Sequence, residues 1–165
     1  MTADETVSVA LATMADLEAI VGCWVALAAD QQQHGLRLQA AENRTQATET
    51  IARHIAMDGV YVARDETIRG FVMFHLDTGT YSQTEPTGTV TALYVRPADR
   101  DAGLGTRLLT AAEAAMAARG AKTVSLEVLT DNAAARAFYD HRGYEPHRIE
   151  LRKRLESDRH SKDDG

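Results

Sequence analysis

The chain has 165 residues, a length that suits one domain able to bury a core without disulfides or metals. Apolar residues make up 44% of it and charged residues 25%, the balance of a globular protein. A formal net charge of −6 argues against a nucleic-acid or acidic-lipid partner, because phosphate backbones are held by basic patches. The same charge suits a cationic or amine ligand, and equally it simply keeps a chain in solution. The single cysteine, Cys23, excludes an intrachain disulfide.

In chain order, "VSVAL" (residues 7–11) alternates as a short strand does. The N-terminal "MTADETVSVA" is acidic and lacks the basic-then-apolar order of a signal peptide, so a cytoplasmic location is expected. Thr13 offers a helix N-cap, with Asp16 three positions on. Leu17, Ile20, Val21, Trp24, Leu27 and Ala28 then recur with helical period, predicting a helix over 14–33. Its apolar stretch, residues 19–29, is too short to span a bilayer. Cys23 lies on that face and reads as core, not as a nucleophile.

Gly35 breaks the pattern, and a second helix is expected over 45–57, with Ile51 and Ile55 on one face. Strands follow at 60–64 and 68–77, joined by the turn "DET". "TGTYSQTEPTG" (residues 78–88) reads as a loop, and "TVTALYV" (89–95) as a strand ended by Pro97. A helix then runs to about Arg119, stopped by Gly120. A strand is expected over 122–129, a helix from Asp131 or Asn132 to Gly143, and a last strand over 149–155. The charged tail 156–165 lacks apolar residues and is expected to be disordered. One domain is expected over 1–155.

Between the 89–95 strand and its helix stands "RDAGLGT", with Gly103 and Gly105 two residues apart. A helix start exposes unpaired N–H groups and the positive end of the dipole. Glycines let a ligand approach that backbone, which makes an anion site; a tight turn with no ligand fits the glycines as well. A P-loop would need Lys-Ser/Thr after its last glycine, where this chain has Thr106 and Arg107. A dinucleotide fingerprint would need a third glycine at 108, which is leucine.

Residues 100–105, Arg-Asp-Ala-Gly-Leu-Gly, read as Gln/Arg-x-x-Gly-x-Gly/Ala. This resembles motif A of the GCN5-related N-acetyltransferase (GNAT) superfamily, which binds the pyrophosphate of acetyl-CoA. "LYVRPADR" before it resembles the superfamily's fourth strand, and "LEVLTDNAAARAFYDHRGYE" after it resembles motif B. The resemblance is strong over 68–151 and rests on element order alone over 7–57. It implies an α/β (α+β) fold with a mixed, mostly antiparallel twisted sheet of six to seven strands, flanked by about four helices. It also implies an acetyltransferase that takes acetyl-CoA as co-substrate and a small-molecule or peptide/protein amine as acceptor. No nucleic acid and no membrane partner is expected, and a homodimer is compatible with the family. The alternative is a non-catalytic acyl-CoA sensor.

The resemblance assigns Arg100, Asp101, Gly103, Gly105 and Thr106 to the pyrophosphate. Leu93, Tyr94 and Val95 would run beside pantetheine, on a strand that a bulge would splay from the next. Asn132 and Ala135 match CoA-contacting positions of motif B, although Asn132 also suits a helix cap. Tyr139 matches the tyrosine that protonates the departing thiolate, and a core tyrosine is its structural alternative. Some family members carry a glutamate on the fourth strand as base; here that strand has no carboxylate. Glu127 on the neighbouring strand is a candidate, with His75 and Glu85 behind it, and a water chain is another route. His34, His54, His141 and His147 are scattered without metal-ligand spacing. Tyr81 and Glu85 are candidates for the acceptor side, together with the first two helices and the loops beside them.

Overall fold

A computed structural model describes residues 6–35, 41–77 and 85–156. Tyr81, most of the 78–88 loop and the tail from 157 onward lie outside the described residues. The chain divides after Asn132 into two compact units.

The first unit begins with β1 (Ser8–Leu11) and a 3-10 turn at Met14–Asp16. The helix α1 (Leu17–Gln32) continues from that turn. Gly35 ends this segment with φ +100°. α2 (Arg44–Ala56) buries Ala47, Ile51 and Ile55 at helical spacing. A meander follows: β2 (Val60–Arg64), β3 (Ile68–Leu76) and β4 (Thr87–Val95). α3 (Leu104–Ala118) and the short β5 (Thr123–Leu126) complete the unit.

The sheet order is β1-β2-β3-β4-β5. The first three pairings are antiparallel, and β4 to β5 is parallel, with α3 as the crossover. Strand alternation divides the core. Phe71, Met73, Ala92 and Tyr94 join Ile20, Val21, Ile51 and Ile55 in one cluster under α1 and α2. Val72 and Phe74 point the other way, where Leu104, Leu108, Leu109, Ala112 and Met116 of α3 are buried against β3 and β4. Six of these core side chains (Phe71, Phe74, Ile20, Ile51, Leu108 and Leu109) are almost wholly removed from water, and each stabilises the fold by roughly 1.5–3 kcal/mol of transfer free energy.

The second unit holds α4 (Ala133–Asp140). Gly143 closes it with φ +86°, a left-handed turn that favours glycine. Tyr144 N–H donates to the Tyr139 carbonyl at 3.1 Å across that turn.

The sheet has five strands among the described residues, where six to seven are expected. The expected strand at 149–155 is not one: its backbone joins no ladder, and Ile149, Leu151 and Leu155 are exposed. Alternation marks a segment able to pair, but a strand exists only where a neighbouring backbone supplies the hydrogen bonds.

Candidate functional site

β4 changes character halfway along. Thr87–Val90 pairs with β3 on one side and with Thr123–Leu126 of β5 on the other. After Val90 the ladder to β5 stops. On the β3 side the register slips, so that Phe74 faces Val90 and Met73 faces Ala92. Thr91 is therefore the extra residue of a bulge; it is exposed, and its Oγ1 donates to the Met73 carbonyl at 3.2 Å. Leu93, Tyr94 and Val95 keep their β3 partners and have none in β5. The bulge that the family resemblance implies thus lies where the pairing with β5 ends.

Their side chains serve the core. Tyr94 is buried, and burial, with Asp30 and Cys23 adding to it, pushes its phenol above the ordinary value against the opposing Arg100 and Arg96. Leu93 and Val95 are half-buried. What this strand offers a ligand is its backbone.

The strand leads through a 3-10 turn at Pro97–Asp99 into the glycine turn. Asp101 has φ +66° and Gly103 φ +82°. Asp tolerates the left-handed region; glycine enters it at no steric cost. Turns of this kind make anion-binding concavities. Gly103 is the N-cap of α3 and has no side chain to satisfy the helix start. A Cβ placed there would meet nothing within 4 Å, so the space before the helix is open. Gly105 and Thr106 are half-buried in the first turn of α3.

Arg100 is already engaged. Its Nε donates to the Val95 carbonyl at 3.0 Å and its Nη2 to Asp30 of α1 at 3.1 Å. Sequence reasoning had no signal for Asp30, which lies 70 positions away.

A family model, that of the acetyltransferase (GNAT) family, matches residues 24–144. The chain belongs to the GNAT acetyltransferase family. No curated protein matches it. Among solved structures it is similar to a GCN5-related N-acetyltransferase from Ralstonia eutropha JMP134, with 19% identity, 90% of this chain and 98% of that one covered, and a TM-score of 0.73. It is similar also to the PaiA N-acetyltransferase of Thermoplasma acidophilum in complex with coenzyme A (16%, 87% and 92%, TM-score 0.74). A third is an aminoglycoside acetyltransferase from an uncultured soil metagenomic sample in complex with sisomicin (17%, 93% and 99%, TM-score 0.66). These likenesses show a shared fold.

GNAT proteins use acetyl-CoA, and the open glycine turn and the forked β4 backbone fit its pyrophosphate and its amide-bearing arm. The strand-turn-helix thus brings Leu93, Tyr94, Val95, Arg100, Asp101, Gly103, Gly105 and Thr106 into one continuous stretch of the first unit. Asn132 ends that unit, half-buried, with its N–H on the Leu129 carbonyl at 3.0 Å. Glu127 is exposed, one residue past β5. Glu85 is exposed as well, and accepts from Thr123 Oγ1 at 3.2 Å.

In the second unit, Ala135 and Tyr139 lie four apart on one face of α4. The Tyr139 ring meets Phe138 and Tyr144 edge-on at 5.2 and 5.7 Å. Arg142 stacks 3.7 Å over Phe138. Burial pushes the Tyr139 phenol up to about 12, so it keeps its proton throughout the neutral range.

Cys23 is buried, and burial raises its thiol against the opposing Arg96, which fits a core residue. Among the described residues no group of three or more His, Cys, Asp or Glu is placed to hold a metal, and no helix is long and apolar enough to cross a membrane.

Proposed function

We propose that the chain is an N-acetyltransferase that moves the acetyl group of acetyl-CoA directly onto a primary amine. The observation that carries this reading is the forked second half of β4 running into a helix that starts on an open, left-handed glycine. The pyrophosphate is held by the first amides of α3 beyond Gly103, with Asp101, Gly105 and Thr106 shaping the turn and Arg100 at its edge. The pantetheine arm pairs with the Leu93–Val95 backbone, and the family resemblance gives Asn132 and Ala135 further contacts to CoA. Backbone N–H groups of the same strand stabilise the oxyanion as the amine attacks the thioester carbonyl. Holding both reactants in one groove lowers the entropic cost of their meeting.

Tyr139 protonates the departing sulfur. A phenol raised to about 12 is a weaker acid than a thiol near 8.5. The transfer therefore runs only if the phenol is reprotonated as it gives up its proton, from the nitrogen that has just become an amide. A cationic acceptor suits the net charge of −6, and sisomicin, bound by one structural relative, is a polyamine of that kind.

The test is acetyl-CoA with an amine panel, read by thiol release and mass spectrometry, beside calorimetric CoA binding. Binding and transfer are expected. Tyr139→Phe should cut kcat and leave CoA affinity in place; an undiminished kcat removes Tyr139 as the acid. CoA binding with no transfer to any amine makes the protein an acyl-CoA sensor, and no CoA binding ends the reading.

A further inference from the structure

Amine acetylation needs a base, because an ammonium ion has no lone pair with which to attack. β4 has no carboxylate to serve. The adjoining strand supplies a different group. His75 is the next-to-last residue of β3, and its partner across the ladder is Thr89 of β4. Its Nε2 stands 3.3 Å from Asp77 Oδ1. That same carboxylate oxygen accepts from Thr89 Oγ1 at 2.7 Å. On the far side of the His75 ring lies the ring of His54 from α2, with centroids 5.6 Å apart. His54 is itself oriented, with Nδ1 on the Thr50 carbonyl at 2.8 Å.

These contacts settle which nitrogens can act. With Nε2–H turned toward Asp77, the His75 lone pair lies on Nδ1. An Nδ1–H donated to Thr50 leaves the His54 lone pair on Nε2. Among the described residues, the titratable groups facing the His75 ring are Asp77 from the end of its own strand and His54 from α2; β4 contributes uncharged Thr89. Asp77 orients the ring.

The position matters as much as the chemistry. Thr89 stands two residues before the bulge at Thr91, about 6.6 Å along the strand, and pairs with Ser125 of β5 one step before the ladder to β5 ends. The set His75, Asp77 and Thr89 therefore reaches from β3 to β4, two residues before the bulge. The His75 side chain is 39% exposed, which leaves it open to water and to a proton arriving through one. Glu127, by contrast, is an exposed residue past the end of β5.

We infer that His75, oriented by Asp77, is the base that takes the proton from the incoming ammonium, directly or through one water. The inference rests on the acetyltransferase reading above. Nδ1 takes one proton from R–NH3+, and the imidazolium later returns it to solvent. The freed nitrogen pair forms the C–N bond to the acetyl carbon, the C–S bond breaks, and the second nitrogen proton replaces the one delivered to sulfur. The products are the acetamide, the CoA thiol and one released proton. Thr89 is a positioning residue that acts through Asp77.

The experiment uses the full chain with acetyl-CoA and four probe amines: benzylamine, spermidine, sisomicin and glycylglycine. His75→Gln should lower kcat by about 100-fold, the lower range for losing a general base, while calorimetric CoA binding and the KM for acetyl-CoA stay within about twofold, a change worth under 1 kcal/mol. The deficit should shrink as pH rises, since the amine then arrives without its extra proton; a merely structural role would leave it constant. Asp77→Asn should give a smaller loss with the same shape, and it carries the comparison if His75→Gln does not fold. Should wild type bind CoA and acetylate none of the four, the comparison moves to the slow hydrolysis of acetyl-CoA, where water is the nucleophile and His75→Gln should again be slower. Wild-type rates in His75→Gln overturn the inference, as does a loss of that size in Glu127→Gln alone, which would assign the base to Glu127. Absent CoA binding in wild type would instead overturn the acetyltransferase reading itself.

Discussion

The turn that starts α1 and the turn that starts α3 face one problem, a row of backbone N–H groups with no carbonyl ahead of them. Before α1, the 3-10 turn is braced by side chains. Asp16 is buried, its Oδ2 accepts the Thr13 N–H at 2.9 Å, and Arg64 of β2 pairs with the same oxygen. At α3 the cap is Gly103, which has nothing to donate or accept beyond its backbone. The α1 start follows a turn braced by its own side chains, and the α3 start follows a glycine turn with open space before it. The two turns differ in what a change of side chain would disturb.

The largest expected effect comes from closing the open end. Gly103→Val places a β-branched residue at φ +82°, where the left-handed conformation costs about 1–2 kcal/mol. The turn should relax away from its present shape, and CoA affinity, measured by calorimetry, should fall by about tenfold or more. An unchanged affinity would mean that the glycine turn is only a connection.

Opening the closed end is the complementary change. Asp16→Ala removes the cap and the Arg64 partner together. Stability in urea denaturation should drop by about 1–2 kcal/mol, with CoA affinity retained. A loss of CoA affinity as large as that of Gly103→Val would erase the contrast between the two ends.

The closed end also predicts an acid limb. Burial pushes the Asp16 carboxyl up, but the Thr13 N–H and Arg64 outweigh it and hold the group below its usual 3.8. The stabilisation is thus present above pH 3.8 and lost as pH falls below it. Stability measured from pH 5 downward should decline less steeply in Asp16→Asn than in wild type, and parallel curves would remove Asp16 from the acid response.

The smallest effect is expected at Arg100, which precedes the α3 turn and is bonded to Asp30 in the last turn of α1. Both side chains are 47% exposed, so the pair contributes at most about 1 kcal/mol. Arg100→Gln should weaken CoA binding by severalfold at most, since the guanidinium is already engaged. A far larger drop would show that Arg100 leaves Asp30 to meet phosphate.

Much of this was readable from local pattern. Thr13 with Asp16 announced the closed end, because a capping box lies within four residues. Gly35, Gly103, Gly120 and Gly143 marked turns, and all four have positive φ. β2 was legible to the residue, since its alternation and flanking turns agree. The final strand was not. Ile149, Leu151 and Leu155 alternate as a strand would, but pairing depends on another segment that the alternation does not name. The bulge at Thr91 left no mark either, because nothing in "TVTALYV" distinguishes the slipped residue from its neighbours. His75 was visible only as a histidine within a strand, and its partners come from two other elements.

The amino-acid sequence by itself determined the order of helices and strands, the self-capped start of α1 and the glycine turn before α3. Each follows from residues within one or two turns of each other, where backbone preference and hydrogen bonding act locally. The tertiary structure alone decided where β4 parts from β5, that Arg100 is spent on Asp30, and that His75, Asp77, Thr89 and His54 meet. Those depend on strand register and on helices laid across the sheet, and packing settles them only when distant segments come together.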